Sequence, residues 1–222
     1  MNSKEIQPIV PTNTLLKSYE VMVPRRNAFC SPLLAQFCLP HRKVTGSIWE
    51  VKNEYVTLKT ASGYEIPYGA YPRLLLSYVI LQIIKTGSPV ISLGKTQNQF
   101  LKMLGLGNDG KTIQRFNVLA LNLFRSTIEV EMKLRVGKSE LERNGTFLEW
   151  IHISDHCGFW KDNKKWLGEL QVNNNFFDFI RSSGGLPFNF HRYASLTKSS
   201  MAMDLYIWLP YRLFILQQQR QY

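Results

Sequence analysis

The chain has few cysteines and no segment suited to secretion. Its 222 residues include three cysteines: Cys30, Cys38 and Cys157. An odd number of widely spaced cysteines argues against a disulfide framework and favours a reducing, cytoplasmic compartment. The first 20 residues mix charges and prolines with scattered apolar residues, so they do not have the pattern of a signal peptide.

The chain also lacks a long apolar run and is poor in acidic residues. Its longest apolar stretch, 205–216, contains Pro210 and Arg212 and is too short to cross a bilayer. There are 16 Asp and Glu against 27 Lys and Arg, which gives a formal net charge of +11. This excess favours polyanionic partners, because each neutralised phosphate of a nucleic acid releases counterions.

No motif for catalysis, metal binding or cofactor binding stands out. Two groups of Cys and His, at 30–41 and 152–157, lack the paired spacing of structural zinc sites. The tripeptide 110–112 (GKT) imitates the end of a phosphate-binding P-loop, but the residues before it connect two predicted helices instead of a strand and a helix. We therefore expect a non-enzymatic protein without a metal or a cofactor.

Composition divides the chain into three segments. Residues 1–45 are basic and contain five prolines, so we expect a largely irregular arm. Residues 46–181 carry clear helix and strand patterns and are expected to form one domain. Residues 182–222 are expected to hold a linker and an apolar helix from Met201 to Leu216.

The middle segment begins with a predicted hairpin and a predicted helix. Residues 47–58 are rich in β-branched and aromatic side chains, with Asn53-Glu54 as a turn in the middle. The helix is predicted from Tyr71 or Pro72 to Gly87, since proline is tolerated in a first helical turn and glycine often ends a helix. A short strand is predicted at 90–93.

Two more helices with a short turn between them are predicted next. Thr96 to Gln99 match a capping box, which predicts a helix that ends at Gly105. After a turn up to Gly110, the third helix is predicted from Thr112 to about Phe124, because its apolar residues recur at helical spacing.

The third helix is followed by the strongest strand pattern in the chain. Residues 128–136 alternate strictly between apolar and charged side chains, and a polar turn at 137–145 leads to a returning strand at 147–153. The order of helix, strand, helix, turn, helix, strand and strand is that of a winged helix. The predicted class is therefore α+β: a winged helix-turn-helix DNA-binding domain over 46–181, with a flanking β-hairpin and an apolar C-terminal helix.

The third predicted helix has the chemistry of a recognition helix. Its first turns carry groups that match base edges in the major groove: Lys111, Thr112, Gln114 and Arg115. Phosphate contacts are expected from the start of the second helix, from the end of the third and from the polar turn: Thr96, Gln97, Arg125, Lys138 and Arg143. Asn122 is included as a further DNA contact. The alternative is an ordinary solvated helix face, but the close spacing of the helices and the basic hairpin behind them favour DNA.

Arg73 is interpreted differently. It lies at the start of the first predicted helix, within an apolar stretch. We expect it to pair with a carboxylate or a backbone carbonyl of the core and not with DNA.

Several stretches together resemble the plasmid replication initiator proteins of the RepA type. They are residues 39–41 (LPH), 67–76 (PYGAYPRLLL), 93–94 (LG), 100–106 (FLKMLGL), Arg115, 123–124 (LF), 199–209 (SSMAMDLYIWL) and 211–213 (YRL). The resemblance covers nearly the whole chain beyond the first thirty residues. The PYG-x-x-PRLLL stretch is its most specific part.

The resemblance implies an initiator that binds repeated sites at a plasmid origin, recruits host replication proteins and forms a homodimer for self-repression. Residues 108–110 depart from the family, which usually has a longer, glycine-rich turn before the third helix. The family also continues beyond the Tyr-Arg-Leu of 211–213 into a second DNA-binding unit, whereas this chain stops at Tyr222. We therefore expect 182–222 to be a linker and the first helix of an incomplete second winged-helix domain.

Two alternatives remain open from the sequence. A winged-helix transcriptional repressor would dock its recognition helix in the same way. A truncated initiator would act only by association with full-length copies through its apolar last helix.

Overall fold

The computed structural model describes most of the middle and C-terminal parts of the chain. The described residues are 28–30, 35, 39–52, 56–132, 147–152, 160–161, 165–182 and 186–219. Most of the predicted arm and the polar turn that carries Lys138 and Arg143 lie outside them. Helices and antiparallel strands are both present, which confirms the predicted α+β class.

The described residues contain six helices and ten strands. The helices are α1 (Ala70–Thr86), α2 (Gln97–Met103), α3 (Gly110–Phe124), α4 (Asn174–Ser182), α5 (Phe190–Ser195) and α6 (Ser200–Gln219). The strands are β1 (Ala28–Cys30), β2 (Ile48–Lys52), β3 (Val56–Ala61), β4 (Val90–Ser92), β5 (Thr127–Met132), β6 (Phe147–His152), β7 (Trp160–Lys161), β8 (Lys165–Trp166), β9 (Glu169–Gln171) and β10 (Leu186–Phe188).

Four strands form the largest sheet within the described ranges, in the antiparallel order β2–β3–β5–β6. The predicted hairpin is confirmed, since β2 pairs with β3 from Ile48 opposite Ala61 to Lys52 opposite Thr57. The predicted return of the alternating strand is also confirmed, because β5 pairs with β6. Pairing of β3 with β5 joins the two hairpins into one sheet.

The short strand after α1 belongs to a different sheet. β4 pairs with β9, and the buried side chains Ile91 and Leu170 lie opposite each other in this pair. β9 gives no strong strand pattern in the sequence, so this pairing was not predicted. Because β4 lies outside the sheet that contains β5 and β6, the winged-helix arrangement stays a prediction.

Helix α1 lies at the centre of the core. Pro72 occupies its first turn, where the missing N–H has no helical partner to lose, and Gly87 ends it in a left-handed conformation with φ of 63°. Ten of its 17 residues are buried. It contacts α3, α4, α5 and α6, so it is the element that positions the other helices.

Arg73 forms a polar junction in this core between α1 and α6. Its guanidinium donates hydrogen bonds to both carboxylate oxygens of Asp204, at 2.7 and 2.8 Å. It also donates to the backbone oxygens of Leu39, Pro40 and Gly69. The prediction that Arg73 pairs with a core carboxylate or carbonyl is confirmed, and both kinds of partner are present.

The first half of α6 packs into the same core. Met203 and Ile207 are at most 4% exposed, so part of the segment 182–222 shares the core of α1. The outer side of α6 is apolar and exposed: Met201, Leu205, Trp208, Leu209, Leu213 and Leu216. That α6 also begins a second domain stays a prediction.

Gly168 allows the chain before β9 to approach the chain after β4 closely. It has a φ of 73°, and a Cβ atom placed on it would lie 2.8 Å from the backbone oxygen of Gly94. We predict that Gly168→Ala lowers the free energy of unfolding by about 2–3 kcal/mol, because it combines left-handed backbone strain with a backbone clash. Urea denaturation measures this change.

Gly63→Ala is the matched control for Gly168→Ala. Gly63 is not in the left-handed region, and no atom lies within 4 Å of its added Cβ. We expect its free energy of unfolding to change by less than about 0.5 kcal/mol. An equal loss in both variants would contradict the close approach at Gly168.

The described residues show neither a membrane-spanning helix nor a metal cluster. No helix among them has the length and apolar content needed to cross a membrane. No group of three or more His, Cys, Asp and Glu within those ranges is arranged to hold a metal ion.

Candidate nucleic-acid interface

The helix-turn-helix predicted from the sequence consists of α2 and α3. The hydroxyl of Thr96 accepts a hydrogen bond from the backbone N–H of Gln99 at 3.2 Å, which confirms Thr96 as the N-cap of α2. The Gln99 side chain accepts from the backbone N–H of Lys95 at 3.2 Å. This return bond lies one residue earlier than in a regular capping box.

Helix α3 begins two residues earlier than predicted, at Gly110, because Asp109 caps it. One carboxylate oxygen of Asp109 accepts from the Thr112 hydroxyl at 2.6 Å, and the other accepts from the Thr112 backbone N–H at 3.0 Å. Both bonds lower the pKa of Asp109, and the bond from the Thr112 hydroxyl has the larger effect. The stabilising effect of the ionised cap is therefore present above the ordinary pKa of Asp and is lost as the pH falls through the lower folded-state pKa.

A hydrogen bond between side chains holds α2 against α3. The amide of Gln97 donates to the side-chain oxygen of Asn117 on α3. Gln97 is half-buried, and one of its N–H groups is used inside the protein. The sequence predicts a phosphate contact for Gln97; the structure adds a positioning role that the sequence analysis missed.

Helix α3 has one buried face and one exposed face. Its buried side chains are Phe116, Leu119, Ala120, Asn122, Leu123 and Phe124. Opposite the apolar members of this set lie four exposed residues, Lys111, Gln114, Arg115 and Val118, which we call the recognition stripe. Their spacing of i, i+3, i+4 and i+7 places them in one row along the helix. Three of the four predicted base-reading residues lie in this row, while Thr112 is half-buried beside it.

The structure contradicts the predicted DNA contact of Asn122. Asn122 is 8% exposed, and its side-chain N–H donates to a carboxylate oxygen of Glu65 at 3.3 Å. Its position continues the row of Arg115 and Val118, which precede it by seven and four residues, but Glu65 covers it. Glu65 also forms an ion pair with Lys43. The hydrogen bond between Asn122 and Glu65 therefore links α3 to the chain before α1.

Two arginines, one within α3 and one at its C-terminal end, lie over tyrosine rings. The guanidinium carbon of Arg115 lies 5.4 Å from the ring centroid of Tyr71. Arg125, the C-cap of α3, lies 4.6 Å from the ring centroid of Tyr64. A cation–π contact at an exposed site stabilises a pair by about 0.5–1 kcal/mol. Each contact favours one orientation of its guanidinium in the absence of a ligand.

The segment that contains α2 and α3 is strongly basic. Residues 66–128 contain seven Lys and Arg but only one acidic residue, Asp109. Arg73 is neutralised inside the core, and the other six cations are exposed: Lys85, Lys95, Lys102, Lys111, Arg115 and Arg125. One sign of charge concentrated on one part of a surface attracts a polyanion over a long range.

The sequence analysis missed Tyr64, Tyr71 and Val118 as parts of this surface. Tyr71 lies within the specific stretch 67–76, but nothing in that pattern indicates an arginine from α3 as its partner. Val118 is a valine at an exposed helix position, which only the orientation of α3 reveals. Lys138 and Arg143 lie outside the described residues, so their predicted contacts stay predictions.

Comparison with known proteins places the chain in a family. The family model described as plasmid-encoded RepA protein matches residues 66–222, well over half of the chain. The chain therefore belongs to the family of plasmid-encoded RepA proteins, which confirms the resemblance seen in the sequence. It is a RepA-type plasmid replication protein.

One solved structure is weakly similar to the chain in fold. This structure, described as the crystal structure of SeMet derivatives of domain2 and domain 3 of RctB, is similar at a TM-score of 0.47 with 10% sequence identity. The similarity covers 82% of this chain and 69% of that chain. No curated protein matches the chain significantly.

Proposed function

We propose that this protein is a sequence-specific duplex DNA-binding initiator of plasmid replication, with α3 as the recognition helix of a winged-helix unit. The observation that carries the proposal is the recognition stripe, an exposed row of cationic and amide groups on a capped helix with a buried opposite face. A helix reads the major groove only through exposed groups that match base edges. Membership of the RepA family provides the plasmid replication context.

The stripe residues have distinct proposed roles. Arg115 pairs bidentately with a guanine, Gln114 pairs with an adenine, and Lys111 donates to a base or a phosphate at the start of the helix. Each correct bidentate pair discriminates against a wrong base by about 1–3 kcal/mol. The stacking of Arg115 on Tyr71 supports this role, since an ordered guanidinium loses less freedom on binding.

Phosphate contacts hold the helix in register. We assign them to Thr96 and the remaining amide hydrogen of Gln97 at the start of α2, to Arg125 at the end of α3, and to Lys138 and Arg143. Such contacts fix the position of the protein on the duplex but carry no sequence information. The exposed lysines around α2 add affinity for any DNA.

We further propose three properties that an initiator of this kind would have. The protein acts without catalysis, its target is repeated origin DNA bound by a homodimer, and it contacts host replication proteins. The exposed apolar side of α6 supports an association surface, since surfaces of this kind mark interaction sites.

Binding to duplex DNA from the region beside its own gene tests the DNA-binding part. The measurement uses excess nonspecific competitor at near-physiological salt, because charge-driven binding alone is competed away under these conditions. Selective complexes on repeated segments are the expected result. Binding no tighter than to the competitor would contradict the proposal.

Replication in cells tests the initiator part. A plasmid that carries the repeats but lacks this gene is introduced into cells that supply the protein from elsewhere. Maintenance of that plasmid only in the presence of the protein is the expected result. Selective DNA binding without maintenance would contradict initiation and favour the repressor alternative.

Asp109 gives a prediction about the N-terminal end of α3. Asp109→Asn keeps a good N-cap but removes the one negative charge of the 66–128 region. We expect a small loss of thermal stability, because an amide has one acceptor oxygen for the two bonds from Thr112. Binding to specific and nonspecific DNA alike should become severalfold tighter, with the gain shrinking as salt rises. Fluorescence anisotropy at several salt concentrations measures this.

Glu50→Gln is the control for Asp109→Asn. Glu50 is exposed on β2, away from α2 and α3 in the chain, and its replacement removes the same charge. We expect a much smaller gain in affinity from Glu50→Gln. Equal gains from both changes would show that the start of α3 does not face DNA.

A further inference from the structure

Val118 is an exposed apolar residue on α3, among exposed neighbours that are polar. Its side chain is 48% exposed, and it is the one large apolar side chain of α3 that is exposed, in a helix whose every residue is described. A lone exposed apolar residue on a protein surface needs no explanation by itself. Val118 differs because it completes the recognition stripe, whose other members are all polar.

Helix propensity does not account for a valine at this exposed position. The side chain faces away from the core, whose α3 contacts come from the opposite face. Valine is also a poorer helix former than the straight-chain residues that usually occupy exposed helix positions, because its χ1 angle is restricted. Val118 therefore offers an exposed apolar group in the same row as the cationic and amide groups of the stripe.

The neighbours of Val118 indicate which apolar group it meets. Val118 follows Arg115 by three residues, which is about 4.5 Å along the helix axis. Base pairs stack about 3.4 Å apart. A helix that lies in the groove with Arg115 on one base pair therefore brings Val118 within one or two base pairs of it. The apolar feature of base edges in the major groove is the C5-methyl group of thymine.

We propose that Val118 reads the C5-methyl group of a thymine within two base pairs of the base that Arg115 contacts. This inference rests on the proposed function, because it needs α3 in the major groove. It adds a specificity-determining residue that acts by apolar contact and not by a hydrogen bond. Its branched side chain covers the methyl group and excludes water from it.

Replacement of each thymine of a bound site in turn by deoxyuridine tests the inference. Uracil keeps the hydrogen bonds of thymine and lacks only the methyl group. With the parent protein we expect one position per recognised repeat at which uracil weakens binding about fourfold, the size expected for losing one buried methyl group. With Val118→Ser we expect thymine and uracil to bind equally at that position.

Two further variants keep the test specific. Val118→Thr retains one γ-methyl group and is expected to keep most of the preference for thymine. Val90→Ser removes a valine that is 42% exposed on β4, away from the stripe, and is expected to leave the preference unchanged. Serine and valine have similar helix propensity, so Val118→Ser leaves the fold intact.

The outcomes separate this inference from the proposed function. Selective DNA binding with equal effects of uracil at every thymine, or an effect that persists in Val118→Ser, overturns the role of Val118 alone. Absence of any selective DNA binding overturns the proposed function and this inference together. A thymine preference that disappears only in Val118→Ser supports both.

Discussion

Asp204→Ala is expected to lower the free energy of unfolding by about 3–5 kcal/mol, the usual cost of breaking a buried ion pair by removing one partner. Arg73 is 4% exposed and donates to both carboxylate oxygens of Asp204. Without Asp204 the guanidinium keeps three backbone carbonyls and the ring of His41 as partners, with no carboxylate to balance its charge in the core. The free energy of unfolding of a whole domain is about 5–15 kcal/mol, so this loss is a large fraction of the total stability.

Urea denaturation followed by circular dichroism measures the effect of Asp204→Ala. The double variant Arg73→Met with Asp204→Leu is expected to recover part of the loss, because it removes the unpaired charge. Lys43→Ala is the control: it breaks an ion pair with Glu65 in which Lys43 is 68% exposed, and no measurable loss is expected. Equal effects of Asp204→Ala and Lys43→Ala would contradict the importance of the Arg73 junction.

Arg115→Ala is expected to reduce affinity for the specific site by about 10- to 100-fold, which corresponds to one bidentate base contact. Affinity for unrelated DNA should fall far less, because a base contact adds little to nonspecific binding. The physical reason is that the guanidinium lies in the recognition stripe and is already ordered by Tyr71. Competition binding against both kinds of DNA measures the two losses.

Arg192→Ala is the matched control for Arg115→Ala. Arg192 is also exposed, but it lies on α5 and not on α3. Its removal takes away the same charge and should lower affinity for both kinds of DNA only slightly. If the Arg115→Ala protein keeps the site preference of the parent, the role given to α3 is wrong.

The local structure of this protein could largely be predicted from its sequence. The helix that ends at Gly87, the Thr96 cap and the two hairpins that give β2, β3, β5 and β6 each follow from short-range patterns. α3 was predicted two residues too short, because Asn108-Asp109-Gly110 has the composition of a turn. The side chain of Asp109 in fact begins the helix there.

Long-range pairings could not be predicted in the same way. The sequence predicts that Arg73 needs a polar partner, but it does not indicate that the partner is 131 positions away at Asp204. The pairing of β4 with β9 depends on three-residue strands that are too short to show a pattern. The sequence predicts Asn122 as a DNA contact because it falls off the apolar face of the helix, whereas Glu65, 57 positions earlier, covers it.

The central claim is that α3 lies in the major groove of a specific site, and substitution of single purines by their 7-deaza forms tests it most directly. A 7-deaza purine lacks N7, an acceptor that is present only in the major groove. We predict that one 7-deazaguanine weakens binding of the parent about tenfold and has no effect on Arg115→Ala. Selective binding that no 7-deaza purine weakens would contradict the claim and show that the site is read by another part of the protein.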